Sequence, residues 1–378
     1  MSKNSISYTL IVFLILISAF QFSAWGITDN IYSILRNIIL GNTIILFLLN
    51  VKKIALLYNR ISLLKIHINV LIITSIILLT ISAFIARVII SPLRDLAIAL
   101  IFLIIGINLN LNEKKYKNII KIFIASYTLA ALSIVFTYST GFVIQELYMP
   151  IPKNQLAPAY GVAFILSLYF IFNNDKNINK WFYIILSVLL FASLLVIRGR
   201  AVIVSVIFTV ILLIFYYIKN KKYKIVAILG IIILIPFVGQ LLYDSLFLNY
   251  DLSDIDSIST GRMARNIDGL EFLFANPLGG QLENSGFKGG TIHNYILYNL
   301  VNYGVILGGI LLIVYFKYIF KIASSIRQNK FQYYESGPLV MVILFIVSLF
   351  EYTYPFSPGS AIFMPFFLMG QYLRKSNS

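Results

Sequence analysis

Four arginines, one histidine and one asparagine are the side chains of this sequence whose type and spacing could do chemistry. Two of the arginines sit in Ile197-Arg198-Gly199-Arg200-Ala201, a link so short between two apolar runs that both guanidiniums have little freedom. One role for them is anchoring at a lipid interface. The other is a clamp on phosphate oxygens, because arginine presents a planar fork of donors and keeps its charge beside lipid. Arg262 opens a second feature, in which Met263, Ile267, Leu270 and Phe274 follow at helical spacing. That pattern predicts a short amphipathic helix lying on a membrane or on a helix bundle, with Ser259 or Thr260 as cap and Pro277 as stop. Arg262 and Arg265 in its first turn oppose the helix dipole. At least one of them is therefore expected to face a phosphate or an acid such as Asp256. Beyond Asn276-Pro277-Leu278-Gly279-Gly280 and Gly289-Gly290, the chain delivers Thr291-Ile292-His293-Asn294 to the mouth of another apolar run. This glycine-rich stretch lacks the Gly-Lys-Ser/Thr of a P-loop and follows no strand, which argues against an ATP site. A lone interfacial histidine is often structural, but His293 follows a flexible stretch and shares its side of the chain with every candidate arginine.

Membrane spans must position these residues. Of the 378 residues, 60% are hydrophobic and 12% charged, with a mean hydropathy of +0.89, a balance that a soluble fold cannot cover with polar surface. Mostly apolar runs fall at roughly 8–25, 31–50, 66–90, 92–110, 118–138, 155–172, 181–197, 201–218, 225–243, 295–316, 337–354 and 358–373. The first is longer than the apolar part of a signal peptide and is flanked by a single Lys3, so it reads as a retained span. Counting the links alternately puts 21 basic and three acidic side chains on one side, and eight basic and eleven acidic on the other, with Arg36 inside the second span. The positive-inside rule then places both termini in the cytoplasm. The expected fold is all-α: a polytopic single transmembrane domain over 1–378 with about twelve helices. Its one large external loop, 244–292, lies between spans nine and ten. Gly304 and Gly308 are expected to form a small-residue face on which span ten packs closely.

The same counts exclude several functions. The chain has no cysteine and two histidines, His67 and His293, so thiol catalysis, disulfides and a histidine-based metal cluster are not expected. The net charge of +16 is spread over short loops rather than gathered on a base-reading face, which argues against nucleic acid. Arg36 and Arg87, near external span ends, read as snorkelling side chains, and Arg94 with Asp95 as a local pair. A transporter would keep its ionisable residues near the bilayer midplane, whereas here they gather at one face.

Four signatures, in this order and on one side, resemble the bacterial O-antigen polymerase and O-antigen ligase family of multispanning glycan transferases. They are Arg200-Ala201 between two spans, Thr260-Gly261-Arg262 opening a helix, Asn276-Pro277-Leu278-Gly279-Gly280, and His293-Asn294 before a glycine-bearing span. The likeness covers residues 181–316 by motif and the whole chain by span count. The chain departs from the pattern in having Asn266 where an aromatic is often found, and in its short external loop. The resemblance implies transfer of a glycan from undecaprenyl diphosphate to an acceptor sugar hydroxyl, at the outer face of the bacterial inner membrane, without metal or cofactor. It implies that Arg200, Arg262 and Arg198 stabilise the departing diphosphate, with Arg265 and Asn294 as further substrate-binding residues. His293 would act as general base, since histidine is the side chain that titrates nearest neutral pH. The implied partners are the lipid-linked oligosaccharide, membrane lipid and a chain-length regulator protein. The short loop favours a polymerase of O-antigen or capsule repeat units. The alternatives are a ligase onto lipid A-core and, in another class, a lipid-linked oligosaccharide flippase or exporter.

Overall fold

The computed structural model describes residues 3–51, 54–82, 90–140, 143–144, 153–173, 177–217, 224–225, 229, 261–282, 287, 291–328, 333–357 and 359–377. The expected ninth span, all but two residues of it, lies outside these, as do Arg87, loop residues 244–260 with Asp256, Ser259 and Thr260, and Gly289-Gly290. The described chain is helical apart from one two-residue ladder, Ser139–Thr140 with Val143–Ile144. In chain order the helices are α1 (Lys3–Gln21), α2 (Asp29–Asn50), α3 (Ile54–Arg60), α4 (Ser62–Ser82), α5 (Ser91–Asn108), α6 (Glu113–Tyr138) and α7 (Lys153–Asn173). They continue with α8 (Asn177–Ile197), α9 (Arg200–Leu212), α10 (Arg262–Ala275), α11 (Tyr295–Gln328), α12 (Ser336–Val347) and α13 (Gly359–Ser376).

Seven helices among the described residues, α1, α2, α4, α6, α7, α8 and α11, are long and apolar enough to cross a membrane. Their outward faces are apolar too: Phe136 is 81% exposed, Phe320 70% and Leu129 69%. Water would not tolerate a belt of that kind, and lipid does. The inner faces pack on one large core. Its tightest seam joins α5 to α13, where Gly106 and Gly370 face each other so closely that a Cβ on either would enter the opposite backbone. Small residues let two helices approach in this way in a membrane, where no hydrophobic force drives them together. Gln371 seals the seam by donating from Nε2 to the carbonyls of Gly106 (2.6 Å) and Leu109 (2.8 Å).

Contacts sort the charged residues into two ends. At one end Lys115 lies over Tyr8, Lys117 pairs with Glu113 at 2.6 Å and sits on the Tyr333 ring, Lys321 faces Tyr372 and Lys375 faces Tyr334. These are the lysines that the alternation of links assigned to one side. At the other end lie the Arg94–Asp95 pair (3.1 Å), Asn154, the α8–α9 turn and the start of α10 and α11. His67 belongs to neither end: it is fully buried, with Nδ1 3.1 Å from the Tyr318 hydroxyl and Nε2 3.1 Å from the Leu96 carbonyl.

Two expectations need correction. Gly304 and Gly308 do not form a flat packing face. Gly304 has φ 70 and breaks α11 into two halves, and the break lets Gly308 come against the backbone of Asn299. A Cβ at Gly304 would strike the Leu278 carbonyl, so the Pro277–Gly280 turn fills the notch. The apolar run 337–354, in turn, is not one span, because helix α12 stops at Val347 and turns follow. Hydropathy hides that stop, since Leu349 and Phe350 continue the apolar run, while Pro355 denies the chain a helical continuation.

Candidate functional site

The turn after α12 exposes backbone that a membrane interior would penalise unless protein satisfied it. Two residues singled out for other reasons, Asn294 and Arg262, help to satisfy it. The carbonyl of Ser348 accepts from the Tyr295 N–H (2.9 Å), that of Leu349 from Asn294 Nδ2 (3.2 Å) and that of Phe350 from Arg262 Nη1 (2.7 Å). Asn294 also caps α11, its Oδ1 accepting from the Leu297 N–H at 3.0 Å. The starts of α10 and α11 are thereby fastened to the turn that carries Glu351.

Glu351 is the centre of the arrangement, and sequence reasoning passed over it. It is 6% exposed, and its Oε1 takes Arg262 Nη2 at 2.8 Å and Asn154 Nδ2 at 2.7 Å. Its Oε2 lies 3.4 Å from His293 Nδ1, and the other imidazole nitrogen, Nε2, lies 3.3 Å from Arg265 Nη1. A guanidinium can only donate, so Nε2 holds a lone pair and the hydrogen resides on Nδ1, facing the carboxylate. This arrangement favours one tautomer, with the acceptor nitrogen turned away from the acid. Tyr352 completes the wall, its ring 6.3 Å from that of His293 and edge-on to it.

Each helix places its part for a local reason. Helix α10 begins directly after Gly261, whose φ of 73 turns the chain so that Arg262 and Arg265 project one turn apart from the same end. Its apolar residues Met263, Ile267, Leu270 and Phe274 all remain exposed, as a helix lying on a membrane surface requires. Gly269 on its opposite side packs against Ile292, the residue before His293. The first turn of α7 supplies Asn154 to Glu351 and, one turn on, Ala157 to Gly199 of the α8–α9 link. That link is strained. Arg198 adopts φ 56, a left-handed conformation that costs a non-glycine residue about 1–3 kcal/mol. Its Nε is buried without a hydrogen-bond partner among the described residues.

Arg262 and His293 thus contact one carboxylate, Arg265 stands behind His293, and Asn294 ties the turn that carries it; Arg198 and Arg200 stand either side of Gly199, which packs on the α7 turn. The expected acid opposite the first turn of α10 is Glu351, while Asp256 lies outside the described residues. Arg262 is engaged by Glu351 and the Phe350 carbonyl. Among the described residues Arg265 meets His293 and no acid. Glu351 was legible only as an acid inside an apolar run, a placement that by itself suggests function. Asn154 and Tyr352 carried no such signal. Among the described residues no group of three or more His, Cys, Asp or Glu is arranged to hold a metal. Comparison of the chain with protein-family models and with curated proteins gives no match.

Proposed function

We propose that this protein is a polymerase of lipid-linked polysaccharide repeat units, working at the outer face of a bacterial cytoplasmic membrane with both termini on the inner side. The observation that carries the reading is the Glu351–His293–Arg265 relay, an imidazole with a carboxylate against one ring nitrogen and a guanidinium against the other. In the reaction, an acceptor sugar hydroxyl attacks the anomeric carbon of a glycan held on undecaprenyl diphosphate. The bond from that carbon to the diphosphate oxygen breaks and the electron pair leaves with the phosphate. The hydroxyl proton passes to His293 Nε2, and the resulting imidazolium is stabilised through Nδ1–H by Glu351.

Arg265 must leave Nε2 before that nitrogen can accept a proton, and the anionic donor gives it a better partner than a neutral ring. Arg198 and Arg200, held at the strained link, join it on the diphosphate. Arg262 keeps Glu351 in place and Asn294 fixes the start of α11. A single in-line displacement inverts the anomeric centre and needs no enzyme nucleophile. The test is reconstitution of the full chain in lipid vesicles with a lipid-linked repeat unit as the only substrate. A ladder of longer lipid-linked glycans, with release of undecaprenyl diphosphate, supports the polymerase. Transfer seen only after lipid A-core is added makes the protein a ligase. Movement of the repeat across the bilayer without chain growth makes it an exporter.

A further inference from the structure

A cavity of about 200 Å3 lies beside His293, and the proton and phosphate chemistry described above leaves it unused. Its described walls are Gln281 from the turn after α10, Thr291 and Ile292 just before His293, Tyr298 and Asn302 from the first half of α11, and Phe287 and Tyr352. No Lys, Arg, Asp or Glu is among these described residues. Across the Tyr298–Tyr352 pair, whose rings are 4.6 Å apart, a second cavity of about 30 Å3 has room only for water.

The chemistry of the larger cavity selects its occupant. A phosphate would find no cation among the described walls, and an acyl chain would meet two amides and a threonine hydroxyl. An uncharged sugar ring suits both halves of the lining: amide and hydroxyl groups for its hydroxyls, and aromatic faces for its C–H face. The groups are already in position. Asn302 is buried and held in place by donating from Nδ2 to the Tyr298 carbonyl at 2.7 Å. Gln281 stands on a turn whose Gly280 is wedged against the Val301 carbonyl at the break in α11.

We infer that this cavity is the acceptor-sugar subsite, taking one uncharged pyranose ring and presenting its hydroxyl to His293; this rests on the transferase reading above. Of the lining residues, Gln281 and Thr291 stand apart from the relay and the clamp, so they can be changed without touching either. The full chain in lipid nanodiscs is probed with methyl glycosides of neutral hexoses and N-acetylhexosamines by saturation-transfer NMR. Chain extension is measured in parallel on lipid-linked repeat units.

Wild-type protein should saturate at least one glycoside, and Gln281→Ala and Thr291→Val should each weaken that binding about five- to tenfold, the worth of one lost hydrogen bond. The repeat-unit concentration for half-maximal extension should rise by a similar factor, with the maximal rate within about twofold of wild type. No saturation of any glycoside, or equal saturation in all three proteins, overturns the subsite even where extension is intact. Saturation that both substitutions weaken, in a protein that transfers nothing, leaves a sugar site but overturns its acceptor role together with the proposed function.

Discussion

A buried carboxylate is costly unless charge and hydrogen bonds surround it, and Glu351 has both from Arg262, Asn154 and His293. Stability alone does not require the next contact. Arg265 lies against a ring nitrogen of His293, and the proposed function gives its charge to the anionic donor. We expect Glu351→Gln to lower the maximal transfer rate by roughly 10²–10⁴-fold, because a side-chain amide can donate to Nδ1 and reverse the tautomer. Wild-type turnover in that variant would show that His293 needs no orienting acid. Arg200→Lys keeps the charge but loses the fork. It should slow transfer by about tenfold or more if the clamp on the diphosphate is real, and an unchanged glycan length distribution would reduce Arg200 to an anchor. Arg262, Arg265, His293 and Asn294 were readable in the sequence because they stand at the start of an amphipathic pattern or at the mouth of a span, outside the apolar runs. Glu351 was not, since its neighbours Leu349 and Phe350 disguise a turn as a span.

At the scale of elements, the bend in α11 decides where His293 sits. The first half of the helix, capped by Asn294, is held by the Pro277–Gly280 turn, with the Val305 N–H donating to the Pro277 carbonyl at 2.7 Å. Gly304→Ala would place a Cβ on the Leu278 carbonyl at a left-handed φ, and we expect it to cost about 1–2 kcal/mol or more. Gly309, where an added Cβ would meet nothing within 4 Å, is the control. Gly309→Ala should fall within about 1 kcal/mol of wild type, on the stabilising side. Thermal unfolding of both variants in detergent decides the matter, and equal loss in the two would mean that the bend carries no stability. Helix existence was legible from apolar periodicity and the amphipathic α10 from its spacing. The bend was not, because two glycines four apart read equally as a packing face and as a break.

Over the whole molecule, the charge pattern and the contacts divide the chain in the same way. Lysines gather with tyrosines at one end, and arginines with the histidine and a carboxylate at the other. The lysine-rich end meets the needs of orientation and of anionic headgroups. The proposed function assigns the sparse arginine end to substrate. Reporter fusions at Lys222 and Ser285 should lie on opposite sides of the membrane, and a same-side result would undo the assignment of the site to the outer face. The most direct test of the account is the glycan profile of cells in which His293→Ala replaces the wild-type protein, with its membrane level measured alongside. The account predicts single repeats in place of the long-chain ladder at an unchanged protein level. A full ladder in those cells would contradict it.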